Sequence, residues 1–222
     1  MAHEINNPMA IINQKAGLMK DLIEFGIEFD EKDRFLELTG SILGSVDRCK
    51  TITHRLLGFA RRMEVSFEFL DINEVIKEVL GFLEKEAVYR KVLLNMRLEE
   101  NLPTVQSDKG QLQQVFLNIV TNSFAAIDDG GEITIKSFSI DQETIAVAFE
   151  DNGCGMSKET LSQIFEPFFT TKKGSGTGLG LPITYGIIKK LGGDFKVTSE
   201  LGEGTVFTVF LKTKIPTIKG EG

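Results

Sequence analysis

Asp151-Asn152-Gly153-Cys154-Gly155-Met156 and, further along, Gly174-Ser175-Gly176-Thr177-Gly178-Leu179-Gly180-Leu181-Pro182-Ile183 are the stretches on which the reading of this chain turns. Glycine at such density costs backbone entropy and marks positive φ or close approach of backbone to something else. The second run leads into a helix-patterned segment, Ile183 to Leu191, so free backbone N–H groups and a helix N-terminus stand where an anion would sit. Neither run is G-x-x-x-x-G-K-[ST], and the second is not the strand-turn-helix G-x-G-x-x-G of dinucleotide folds. A flexible surface loop explains either run alone. It does not explain the aspartate that opens the first, nor Asn118 and Asn122 ahead of both.

Those two asparagines are four apart on a helix-patterned segment, Asp108 to Ile127, and share a face beside its apolar stripe of Leu112, Val115, Phe116, Ile119 and Val120. An amide oxygen is a suitable hard ligand for Mg²⁺, which also takes phosphate oxygens and water. Asp151 follows an alternating strand with Ile145, Val147 and Phe149 on one side, which puts its carboxylate at a strand end. A carboxylate only accepts hydrogen bonds, so it selects the exocyclic amino group of adenine over the carbonyl of guanine. Gly153 and Gly155 let the backbone lie against a flat base.

The rest of the chain supplies a frame for this constellation. Apolar residues at helical spacing run from residue 4 to about 28 (Ile5, Met9, Ile12, Ala16, Met19, Ile23) and again from about 33 to 62 (Phe35, Leu38, Ile42, Val46, Cys49, Ile52, Leu56, Phe59), with a turn between. Two amphipathic helices in a hairpin bury little alone and invite a second copy, giving a four-helix dimer. Composition changes near Val65. Beyond it the pattern predicts a short strand at Phe67 to Leu70, a helix capped by Asp71 and running to about Tyr89, and a strand from Val92 to Leu98. The Asp108 helix follows, then strands Glu132–Ile140 and Thr144–Glu150, helices over 157–164 and 180–191, and a final hairpin, 193–200 and 204–213, turned at Gly202-Glu203-Gly204. Grouped rather than alternating elements predict a helical hairpin over 1–65, followed over 66–217 by an α+β sandwich with a mixed sheet and helices on one face.

Bulk properties narrow the partners. The chain has 222 residues, 41% hydrophobic and 26% charged, which is ordinary for a globular protein of one large or two small domains. Its net charge of −7 argues against a nucleic-acid surface. No apolar run is long enough to span a membrane, no basic-then-apolar leader is present, and two cysteines, Cys49 and Cys154, suit a reducing compartment, so a cytoplasmic location without membrane contact is expected. Because Met1-Ala2-His3 already lies in a helical pattern, we expect a fragment with an input region upstream.

Five boxes in order carry a resemblance: Gln114-Val-Phe-Leu-Asn118-Ile-Val-Thr-Asn122, Asp151-Asn-Gly-Cys-Gly155, Ile164-Phe-Glu-Pro-Phe-Phe169, Gly176-Thr-Gly-Leu-Gly-Leu181 and Gly202-Glu-Gly-Thr205. Over about residues 66–214 the chain resembles the Bergerat-type (GHKL) ATP-binding fold. The resemblance implies ATP with Mg²⁺, a lid between roughly Phe165 and Gly178, and phosphates held by the glycine run, Gly176, Gly178, Leu179 and Gly180 included. It implies Asn122, with Asn118, at the metal, Asp151 at the adenine, and Thr205 supporting the base. Lys172 and Lys173 are candidate phosphate contacts, with a solvated charged pair the alternative; Phe165, Phe168 and Phe169 read as apolar anchors of the lid. Thr121 stands where many members carry a basic residue, so one phosphate contact is absent or comes from a lid lysine.

Sharing the fold leaves the reaction open. His3-Glu4-Ile5-Asn6-Asn7-Pro8 narrows it. A neutral imidazole is a competent nucleophile when an acceptor orients its other nitrogen, and Glu4 is adjacent. Asn7 lies one turn on, where its amide can position a water, and Pro8 withholds a backbone donor from the carbonyl of Glu4. The segment is similar to the H-box of sensor histidine kinases, with Ala2 for the usual serine and Met9 for the usual leucine. The resemblance implies autophosphorylation of His3, transfer to an aspartate of a response-regulator receiver domain, receiver dephosphorylation aided by Asn7, and a homodimer through the hairpin. His54 lacks such context and reads as a surface residue. Two rivals remain: a GHKL ATPase, disfavoured because Asn118 stands where a glutamate base would be needed, and a nucleotide-binding dimerisation module without catalysis.

Overall fold

The computed structural model describes residues 10–19, 21, 35, 37–45, 66–172 and 177–214. The chain divides into two compact units, Met1–Met63 and Glu64–Gly222. In the first, residues 10–19 (α1) and 37–45 (α2) are helical, as the apolar spacing predicts. Leu38 of the apolar pattern is buried, and Leu18 and Leu43, which lie off that pattern, are exposed. The Thr39 and Ser45 hydroxyls donate back to the carbonyls of Phe35 and Ser41, which satisfies them within the helix.

The second unit is built on a five-stranded mixed sheet. In chain order its elements are β1 (Glu68–Leu70), α3 (Ile72–Tyr89), β2 (Leu93–Leu98), β3 (Val105–Ser107), α4 (Lys109–Ala126), β4 (Glu132–Ser139), β5 (Thr144–Asp151), α5 (Lys158–Gln163), α6 (Gly180–Lys190), β6 (Asp194–Glu200) and β7 (Gly204–Lys212). The sheet order is β2-β4-β5-β7-β6. β2 runs parallel to β4, and the other neighbours are antiparallel. β1 and β3 form a separate two-stranded pair that the spacing did not reveal for β3.

Local chemistry sets the helix starts. Asp71 accepts the backbone N–H groups of Asn73 and Glu74, capping its helix as expected, and Asp108 accepts that of Gln111, so it caps α4 rather than opening it. α4 carries the core. Leu112, Val115, Phe116, Ile119 and Val120 are fully buried against Ile133, Ile135, Val147, Phe149 and Val209 of the sheet. The Phe116 and Phe149 rings lie 5.3 Å apart, tying helix to central strand. β5 is buried on both faces except at Glu150, and its outer face is kept small by Ala146 and Ala148. Burial of each large α4 side chain contributes about 1.5–3 kcal/mol. The result is a rigid seat for the residues at the C-terminal end of β5 and on the solvent-facing side of α4.

Candidate functional site

Asp151 closes β5 opposite Thr205 of β7 and is only 7% exposed. One carboxylate oxygen accepts the Ser123 hydroxyl of α4 at 2.9 Å, and the other accepts the backbone N–H of Gly153 at 3.0 Å. Burial raises its pKa above the ordinary carboxylate value, opposed by these two bonds and by the backbone N–H of Thr205. The carboxylate is therefore partly dehydrated yet fixed from three elements, a suitable acceptor for one more donor.

The loop after Asp151 is held by its neighbours. Cys154 donates its N–H to the Ala126 carbonyl at 2.9 Å, and its own carbonyl accepts from Gly202 of the β6–β7 turn at 2.8 Å. Asn152 accepts the Glu132 N–H at 2.8 Å. Gly155 adopts φ +63°, and a Cβ there would come within 1.9 Å of the Glu200 carbonyl oxygen, so only glycine fits. Thr205 is buried, its hydroxyl 2.9 Å from that of Ser199.

On the other side of α4, Asn118 donates its amide to the Thr184 hydroxyl of α6 at 2.8 Å, with its oxygen against Gly180. One turn on, the oxygen of Asn122 accepts the Lys172 ammonium at 3.2 Å. α6 begins at Gly180 behind Leu179, which offers no side-chain cap, and its third residue is Pro182, which has no N–H; the donors of Gly180 and Leu181 carry the start of the helix. Phe168 donates its N–H to the Gly178 carbonyl at 3.0 Å, pinching together the two ends of the lid segment. Both residues have positive φ, +71° and +63°. Phe165 packs on Tyr185 and Phe195, with ring centroids 4.9 and 5.7 Å away, which is the apolar anchoring expected of it; Phe168 is instead largely exposed.

Asp151, Gly153, Gly155 and Thr205 thus converge at one end of α4, while Asn118, Gly180 and Thr184 converge with Asn122 and Lys172 on its α6 side. His3, Glu4, Asn7, His54, Lys173 and Gly176 lie outside the described residues. Among the described residues no group of three or more His, Cys, Asp or Glu forms a metal site. The donors suited to a cation here are the asparagine amides, and Asn122 already accepts a positive charge. Ser123 and Thr184 were not singled out from sequence. Each is a hydroxyl on an otherwise apolar stripe, with 0% and 1% exposure, and that interruption was the available signal.

The profile of the Histidine kinase-, DNA gyrase B-, and HSP90-like ATPase family matches residues 107–215. Sporulation kinase C of Bacillus subtilis (strain 168) is 33% identical over 215 residues, covering 96% of this chain and 48% of its own. The solved catalytic domain of histidine kinase ThkA is 30% identical, with a TM-score of 0.61 over 67% of this chain and 96% of the domain. ThkA solved in complex with the response regulator protein TrrA gives 26% identity and a TM-score of 0.73 over 96% of this chain and 60% of that one. The chain spans about half the length, or less, of the curated relatives it matches. Among the described residues no helix is long and apolar enough to cross a membrane.

Proposed function

Since this chain belongs to the histidine kinases, we propose that it binds ATP through its second unit, phosphorylates His3 and passes the phosphoryl group to an aspartate of a response-regulator receiver domain. Residues 66–217 serve as the nucleotide-binding region and 1–65 as the dimerisation and phosphoacceptor region. The observation that carries the nucleotide assignment is Asp151: a desolvated carboxylate, oriented by Ser123 and Gly153, at the mouth of a glycine-bearing loop. It accepts the adenine amino group, while Gly153 and Gly155 bring backbone against the base and Thr205 supports it. Gly176, Gly178, Leu179 and Gly180 offer N–H groups to the phosphates, and Lys172 adds charge from the lid.

Asn122, with Asn118 beside it, would hold Mg²⁺, for which amide oxygens are suitable ligands; the bond from the Lys172 ammonium to the Asn122 oxygen supports this reading. The ion, when bound, offsets charge on the phosphoryl oxygens. Glu4 accepts the Nδ1 proton of His3, leaving the Nε2 lone pair to attack the γ-phosphorus. The P–N bond forms as the bond to the β,γ-bridging oxygen breaks, and ADP leaves with that electron pair. The phosphoryl group then moves to the receiver carboxylate as the P–N bond breaks. Asn7 positions water for the reverse duty of dephosphorylating the receiver. ThkA's complex with TrrA supports a receiver as partner. Exposed Leu18 and Leu43 support pairing of two hairpins in a homodimer, and cysteine usage supports a cytoplasmic site of action.

Asn118, oriented by its bond to Thr184, is an amide in the place where an ATPase needs a general base, which supports transfer over hydrolysis. Incubation with γ-labelled ATP tests the proposal. Acid-labile, base-stable label on the wild type and none on His3→Gln is the expected outcome; undiminished labelling of His3→Gln, or phosphate release without phosphoprotein, overturns it.

A further inference from the structure

Arg90 lies between α3 and β2, outside every box that carries the family resemblance, yet it closes the C-terminus of α4. After Ala126 the chain turns to extended backbone at Ile127, so the last carbonyls of α4 lose their helical partners. The Arg90 guanidinium supplies replacements: Nη1 donates to the Phe124 carbonyl at 2.5 Å, Nη2 to the Ile127 carbonyl at 2.7 Å, and Nε to Asp129 at 3.0 Å. Its own carbonyl accepts from Gly130 at 3.0 Å. With its side chain 22% exposed, it also places positive charge at the negative end of the helix dipole.

Between the two carbonyls held by Arg90 lies that of Ala126, which accepts the N–H of Cys154. Gly153 sits so close to this carbonyl that a Cβ would come within 2.6 Å of its oxygen. One turn earlier, Ser123 orients Asp151, and its carbonyl accepts the N–H of Ile127. The turn clamped by Arg90 is thus the wall against which the Asp151–Gly155 loop is set.

We infer that Arg90 is a positioning residue for adenine recognition, acting from behind the helix through the Ala126–Cys154 bond and through Ser123. This deepens the proposed nucleotide reading and rests on it. Without the guanidinium the final turn of α4 frays, the Cys154 amide loses a fixed partner, and the loop samples shapes that do not fit the base. Lysine, with one compact charge and no fork, restores only part of the clamp.

The test combines hydrogen exchange resolved by residue with ADP titration on the full chain, for wild type, Arg90→Met and Arg90→Lys. Expected are exchange at the Cys154 amide about tenfold faster in Arg90→Met, ADP binding about tenfold weaker, intermediate values for Arg90→Lys, and unchanged protection in β5 and β7. Unaltered Cys154 exchange or unaltered ADP affinity in a folded Arg90→Met overturns the inference. If that variant does not fold, Arg90→Lys decides: acceleration confined to 123–127 and 151–155 supports the inference, and uniform acceleration across the sheet overturns it as merely structural. A wild type that binds no ADP would sink the nucleotide reading, and with it the role in recognition; the exchange data would then report the Arg90–Cys154 coupling alone.

Discussion

The two ends of the candidate site are constructed differently. At the Asp151 end the polar groups are fixed by neighbours on four sides: Ser123 on α4, Thr205 on β7, Gly153 in the loop and Gly202 in the hairpin turn. At the α6 end the helix starts without a side-chain cap, and among the described residues the lid segment meets its surroundings through the Lys172 contact to Asn122, the backbone bond between Phe168 and Gly178, and the packing of Phe165 on Tyr185 and Phe195. In the proposed function, the difference separates base recognition from phosphate grip. A base can be read by preorganised groups because its shape does not change, whereas phosphates must be held and then released, which favours donors at an uncapped helix start.

If that contrast is right, substitutions at the Asp151 end should cost more than those at the lid. Asp151→Ala should weaken ADP about 100-fold, roughly 3 kcal/mol, because it leaves buried donors and the adenine amino group unpaired; isothermal titration measures it. Gly155→Ala should lower unfolding stability by about 2–3 kcal/mol through left-handed strain and collision with Glu200, read by urea denaturation. Thr184→Val should cost about 1–2 kcal/mol by orphaning the Asn118 amide. It should also slow phosphorylation more than it weakens ADP, since the change lies at the phosphate end.

A pH comparison sharpens the Asp151 end further. Its folded pKa is raised, chiefly by burial, so its contribution to stability is complete below the ordinary value of 3.8 and is lost as pH rises through the folded pKa. Asp151→Asn does not titrate. Its urea midpoint relative to wild type should therefore rise with pH above 3.8 and then level off; a difference that stays flat or falls contradicts the assignment. Smallest of all, Lys172→Ala should weaken ADP about threefold and ATP somewhat more, in keeping with a partly exposed charge contact of about 0.5–1 kcal/mol.

Much of this was legible in the chain. Asp71 announced α3 because a short carboxylate ahead of an apolar stripe has one favourable use, the stripe from Leu112 to Val120 announced α4, and β4, β5 and the final hairpin followed from alternation and turn glycines. Asp151, Gly153 and Gly155 were legible because a carboxylate and glycines in that order serve a strand end better than a core. β3 was not, since three residues after Pro103 carry no periodicity, and the parallel pairing of β2 with β4 depends on long-range packing rather than on either strand alone. Ser123, Thr184 and Arg90 were missed for one reason. Their partners are far away in sequence, and only the folded chain shows that a buried hydroxyl faces an amide or that a guanidinium meets the open end of a helix.

Inosine diphosphate differs from ADP at the group Asp151 is held to read, a carbonyl in place of the amino group. Titrating both into the wild-type chain tests the account at that atom. ADP should bind about 100-fold more tightly than inosine diphosphate, because the carboxylate would lose its bond to the base and face a second acceptor instead, and the gap should shrink in Asp151→Asn, whose amide can donate. Equal affinity of the wild type for the two nucleotides would contradict it.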